Sequence, residues 1–136
     1  MTTDRRNFLK YVTGAALLAG IVPTSSTLIS CKQKPKKMSK NTLYVVAIAE
    51  TSADRAEELR SICIGLIEPT RKEDGCISYE LYQDTTNNGK FIFVENWQSK
   101  EHLDVHLKTP HLVAAGEAFG KILTKELDLF MLNKLA

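Results

Sequence analysis

The chain has 136 residues, 43% hydrophobic and 25% charged, which suits one globular domain and excludes a disordered or collagen-like chain. Its formal charge of +2 is unevenly placed: residues 1–30 carry +2, residues 31–40 carry +5, and residues 41–136 hold 10 basic against 15 acidic residues, net −5. A domain that acidic lacks the basic face on which nucleic-acid affinity rests, so no nucleic-acid partner is expected.

The first element is an address. Arg5-Arg6-Asn7-Phe8-Leu9-Lys10 resembles a twin-arginine export signal, departing from its pattern only at Asp4 before the pair. The apolar stretch Tyr11 to Val22 is broken by Gly14 and Gly20 and is about 12 residues long, against the roughly 20 needed to span a bilayer. It reads as a signal-peptide core, which assigns residues 1–30 to the signal. Leu28-Ile29-Ser30-Cys31 resembles a bacterial lipoprotein cleavage box, with Cys31 as lipid acceptor. Residues 31–42 are then a tether. Its lysines (Lys32, Lys34, Lys36, Lys37) would lie near anionic headgroups, where each charge adds roughly 1 kcal/mol. A periplasmic or cell-envelope lipoprotein, held to the membrane by lipid and tether, is the expected destination. Twin-arginine export carries folded domains, so Cys63 and Cys76 would be reduced during folding, and no bridge between them is expected.

The folded unit is expected over residues 43–133. Leu43 to Ala49 is a continuous β-rich apolar run, an interior strand. Thr51 or Ser52 is placed to cap a helix in which Leu59, Ile62, Cys63, Leu66 and Ile67 recur at spacings of three and four. Pro69 offers a kink and Gly75 a left-handed stop. Cys76 to Gln83 and Lys90 to Trp97 pair as a hairpin, with Asn88-Gly89 as its turn signal. Ser99 opens a short helix, and Thr109-Pro110 a second running to about Phe119. Glu126 to Leu132 closes the chain as a strand. The order β-α-β-β-α-β predicts an α+β, ferredoxin-like sandwich with helices on one face of an antiparallel sheet. The other face also carries apolar residues, so a homodimer through the sheets is expected.

The chain's three histidines, His102, His106 and His111, fall within ten residues. His102 and His106 stand four apart on one helix face, a spacing that zinc can use with Glu95 as the available third ligand. Nothing in the pattern fixes that ligand, and no metal is expected. Glu95 and Trp97 point to one side of their strand, with Phe91 and Phe93 behind them. They read either as a polar group and aromatic wall in an apolar pocket or as a core Trp whose indole N–H bonds Glu95. Tyr79 and Tyr82 point to opposite faces of the neighbouring strand, so at most one joins such a pocket. There is no phosphate loop, Cys-x-x-Cys or evident nucleophile and base, and no cofactor fingerprint.

Three segments carry a family resemblance: Glu73-Asp74-Gly75-Cys76-Ile77-Ser78-Tyr79-Glu80-Leu81-Tyr82, Phe93-Val94-Glu95-Asn96-Trp97, and His102 to His111. In this order they resemble the antibiotic biosynthesis monooxygenase domain, and within it the bacterial quinol monooxygenase-like proteins. The resemblance implies a dimeric ferredoxin-like α+β barrel. It also implies oxygenation of a quinol or phenol by dioxygen with no flavin, haem or metal, the substrate itself supplying the electrons. In that setting His106 is the candidate base and Trp97 the wall against the substrate ring, with His111, Glu95 and Tyr79 as substrate-binding groups. Val113 to Glu117 lacks the axial histidine of haem-degrading relatives, and the acidic domain does not favour the anionic substrates of isomerase relatives. The alternative is a dimer that only sequesters an aromatic ligand.

Overall fold

A computed structural model describes residues 42–135. Arg5, Arg6, Cys31 and the tether up to residue 41 lie outside the described residues. The elements are β1 (Leu43–Glu50), α1 (Ala56–Arg71), β2 (Cys76–Gln83), β3 (Lys90–Trp97), α2 (Lys100–His106), α3 (Pro110–Ile122) and β4 (Asp128–Leu132), with one 3-10 turn, Ala53–Arg55, leading into α1. All strand pairs are antiparallel and the sheet order is β2-β3-β1-β4, the ferredoxin-like arrangement that the element order predicts.

Strand alternation decides what faces the helices. Val45, Ala47 and Ala49 of β1 pair with Glu95, Phe93 and Phe91 of β3, and all six are buried beneath α1 and α3. Leu59, Cys63 and Leu66 complete the core from α1, and Leu112, Ala115 and Phe119 from α3. Cys63 and Cys76 are both buried and form no disulfide, and burial pushes the Cys63 thiol up to about 12. The opposite face aligns Val46, Val94 and Phe130 in one row and Ile48 with Ile92 in the next, half-buried except for the exposed Phe130. No helix among the described residues is long and apolar enough to cross a membrane.

Several local expectations change. Neither hydroxyl caps α1: Thr51 Oγ1 donates to the Ile122 carbonyl at 2.6 Å, tying α3 to the end of β1, and Ser52 makes no cap bond. Helix α1 passes Pro69 by two residues, and α3 runs three residues beyond Phe119. The hairpin is closed by the six-residue loop 84–89, built on the Asp84 carboxylate, which accepts from the Thr86 and Asn87 amides. Gly89 serves packing there: a side chain would collide with the Thr51 carbonyl, while the Thr51 amide donates to the Gly89 carbonyl at 2.9 Å.

Candidate active site

The site begins where α1 stops. Glu73 N–H donates to the Thr70 carbonyl at 3.0 Å, Gly75 turns through φ +76°, and β2 starts at Cys76. A residue other than glycine resists that backbone, and here a side chain would also strike the His102 ring. The turn carries Glu73 to the junction of α2 and α3. His106 ends α2 and His111 lies in the first turn of α3, where Thr109 holds the N-cap position and Pro110 the next. The Thr109 hydroxyl donates to the His106 carbonyl at 2.8 Å and pins the junction.

Glu73 joins the two histidines. Its Oε1 lies 2.9 Å from His106 Nδ1 and 2.8 Å from His111 Nε2, and its Oε2 lies 3.0 Å from His106 Nδ1. An ionised carboxylate only accepts, so each facing nitrogen carries the hydrogen, and a neutral His106 ring then keeps the lone pair on Nε2. The His106 side chain is 2% exposed, Glu73 14% and His111 26%, so the trio grades from core to surface.

Between the sheet and the helices lies a narrow cleft of about 20 Å³, walled mainly by apolar side chains, Phe93, Leu103, Leu112, Phe119 and Leu129 among them. Its polar groups are Tyr79, Glu95 and His106. Tyr79 is paired with Glu95 across β2 and β3, and its ring lies 5.7 Å from that of His106, edge on. Burial, then the charge of Glu95, raises the Tyr79 hydroxyl well above the ordinary phenol range. Burial also raises the Glu95 carboxyl above 4.5, against the downward pull of the Trp97 N–H bond and of His106.

The other sequence candidates take different places. Trp97 is fully buried and lies behind the cleft lining, its ring 4.7 Å from His106 and its Nε1–H donating to Glu95 Oε2 at 2.8 Å. It backs the histidine and the acid, as a core Trp would, and does not wall the cleft. His111 also stands outside the lining and meets the site through Glu73. The His102, His106 and Glu95 grouping does not form: the His102 Nδ1 lies 3.0 Å from Ser99 Oγ and its ring packs over Gly75. Among the described residues, the convergent set is Glu73, His106 and His111. Glu73 escaped the sequence reading as a site residue because it is 33 positions from His106, in a turn with no periodicity to announce it. The only available signal was its place at the head of the Glu73-Asp74-Gly75 segment.

Rv0793 of Mycobacterium tuberculosis, provisionally named a monooxygenase, is 33% identical over 91 residues, 67% of this chain and 89% of the relative. Its solved structure matches with a TM-score of 0.67 at 31% identity, covering 71% of this chain and 97% of that one. YgiN of Escherichia coli K12, provisionally named a quinol monooxygenase, is 33% identical over 61 residues, 39% of this chain and 59% of the relative. The uncharacterized protein sll1783 of Synechocystis is 33% identical over 87 residues, 64% of this chain, and the match spans only 59% of that protein's length. Residues 42–118, which supply every cleft residue except Phe119, Leu127 and Leu129, match the family model of the antibiotic biosynthesis monooxygenases. With fold, site segments and relatives in agreement, the chain belongs to the antibiotic biosynthesis monooxygenase family.

Proposed function

We propose that the protein is a cofactor-independent monooxygenase that oxidises quinol-like or phenolic small molecules with dioxygen. The observation that carries this reading is the apolar cleft in which a histidine, oriented by a half-buried carboxylate, is one of three polar groups. Its apolar lining suits an aromatic ring once the wall gives way, and the base suits the ring hydroxyl. The His106 Nε2 takes the phenolic proton, and Glu73 stabilises the imidazolium that forms. The phenolate passes electrons to dioxygen, one oxygen atom bonds to ring carbon, and the other leaves as water. Quinol plus dioxygen gives hydroxyquinone plus water, with all four electrons drawn from the substrate, so the reading calls for no cofactor. Glu95 lines the same cleft and offers the second substrate oxygen the carboxyl oxygen that Trp97 does not engage. The half-buried Leu107, Leu127 and Leu129 are the part of the wall that must yield to admit a ring.

The same proposal places the enzyme at the cell envelope, exported through Arg5-Arg6 and anchored by lipid on Cys31. It works as a homodimer through the open sheet face. Mass spectrometry of the mature N-terminus tests the anchor: a diacylglyceryl Cys31 supports it, and an intact Met1 in membrane-free extract overturns it.

The deciding experiment follows dioxygen uptake by the full chain, freed of metal and flavin, with naphthoquinols, benzoquinols and anthrone-like phenols. Uptake above autoxidation that falls about 10²- to 10⁴-fold in His106→Ala, the usual share of a general base, is the expected result. Saturable quenching of Trp97 fluorescence by a quinol that gives no uptake would overturn it in favour of a ligand-sequestering protein.

A further inference from the structure

We infer that Glu73, His106 and His111 form a binding site for a borderline divalent ion of the Zn²⁺ type, and that filling it switches His106 off as a base. The three ligand atoms lie within 4.8 Å of one another. Two imidazoles and one carboxylate make up one of the donor sets that zinc takes with a fourth position left open. Each donor is fixed by a separate element: Glu73 by the turn that Gly75 closes, His106 by the end of α2, and His111 by the first turn of α3. The exposure rising from His106 to His111 gives the ion an entrance on the His111 side and leaves the open position toward solvent. Zinc bonds of about 2.0–2.2 Å at tetrahedral angles set nitrogen-to-oxygen separations of roughly 3.3 Å. The present 2.8 and 2.9 Å contacts therefore open by a few tenths of an ångström when the ion replaces the two bridging hydrogens.

The switch follows from the tautomer. A neutral imidazole has one N–H. With that hydrogen on the Nδ1 of His106, facing Glu73, Nε2 is free to accept a proton. An ion on the Nδ1 lone pair moves the hydrogen to Nε2, which then donates and cannot accept. His111 makes the opposite exchange, from Nε2 to Nδ1, and no net proton leaves either ring. The cleft keeps its shape, so substrate still binds while proton abstraction stops. The switch rests on the reading of His106 as a base, whereas the ion site does not.

The test strips the full chain with a chelator and titrates Zn²⁺ in competition with a chromogenic chelator. One ion per chain is expected, with affinity lowered more than about 10-fold in Glu73→Gln and in His111→Ala, since even an outer-shell loss has that effect. His102→Ala, outside the trio, leaves it unchanged. Binding that is absent, or equal in all these variants, overturns the site. The Co²⁺ spectrum is a second readout, because a thiolate-to-metal band would put the ion on a cysteine instead. Should Glu73→Gln fail to fold, the half-buried His111 decides through His111→Ala. In quinol turnover, kcat falls in step with occupancy and KM stays within about twofold. A filled site with unchanged kcat overturns the switch and keeps the site. No turnover by the metal-free chain overturns the oxygenase reading and the switch with it, while the titration still decides the site.

Discussion

Both carboxylate oxygens of Glu73 lie against one nitrogen of His106, Oε1 at 2.9 Å and Oε2 at 3.0 Å from Nδ1. The imidazole is almost wholly buried, so this contact, together with Trp97 at 4.7 Å between ring centroids, fixes both its orientation and its tautomer. In the proposed reaction Glu73 is thereby a positioning residue that acts through His106.

Glu73→Gln should lower kcat with little change in KM. The amide presents a donor as well as an acceptor to Nδ1 and admits the tautomer whose Nε2 is protonated, forfeiting part of the about 10²- to 10⁴-fold that a general base supplies. Glu73→Asp, which keeps the acceptor pair on a shorter stem, should recover part of the loss. Steady-state quinol oxidation checks both, and a KM that rises with kcat unchanged would point to a substrate contact instead.

Gly75→Ala should destabilise the protein and loosen the site. The backbone at φ +76° puts an alanine in left-handed territory at roughly 1–2 kcal/mol, and its methyl meets the His102 ring. Shifting His102 does not remove the backbone strain, so the double variant Gly75→Ala with His102→Ala should regain only part of the lost stability in thermal melts.

The fold was legible because its signals are local. Strand alternation put Tyr79, Phe93, Glu95 and Trp97 on one face, and the three- and four-residue spacing of Leu59, Cys63 and Leu66 made α1 amphipathic. The site was legible in part. His106 stood out by residue chemistry, and the carboxylate that holds it did not, since a turn joins distant residues without any period. Gly89 shows the same limit, for the crowding that requires glycine comes from Thr51, 38 positions away. Trp97 and Glu95 satisfied both readings of their pattern at once: the indole bonds the acid as a core pair would, and the acid still lines the cleft.

The open sheet face should make the protein a dimer that Phe130→Glu disrupts. Phe130 is 38% exposed beside the half-buried Val46, so a charge there should leave the single chain intact while placing an unpaired carboxylate in the interface. The same face carries Asn96, whose Oδ1 is buried without a hydrogen-bond partner while its Nδ2 donates to Ser78 Oγ at 2.6 Å. Light scattering on the eluting full chain reads the mass directly, and a monomeric wild type would refute the dimer.

Glu95 should make stability fall as pH rises above the ordinary carboxylate range. Burial raises its folded-state value above 4.5, so between that value and the folded one the native chain binds more protons than the unfolded chain. Stability is fully present below 4.5 and is lost as pH climbs through the folded value. Glu95→Gln, whose amide oxygen still accepts from Trp97, should flatten this limb. The acid limb should stay, because Asp54, Asp84 and Glu101 are lowered by hydrogen bonds and lose stability as pH falls. Melting temperatures of both proteins from pH 3 to pH 9 make the comparison, and parallel curves would rule the assignment out.

Trp97→Phe separates a supporting role from a wall role. The substitution removes the donor to Glu95 Oε2 and leaves a buried acceptor unsatisfied, at about 1–3 kcal/mol, besides the void left by the smaller ring. That hydrogen bond is the largest influence holding the Glu95 carboxyl down, so without it the carboxyl rises further. The declining limb of stability should then extend to higher pH than in the wild type, and it should vanish when Glu95→Gln is added. Turnover should lose kcat, because the ring that backs His106 is smaller, while KM holds, because Trp97 does not line the cleft. A limb at the wild-type position together with a raised KM would put Trp97 against the substrate after all.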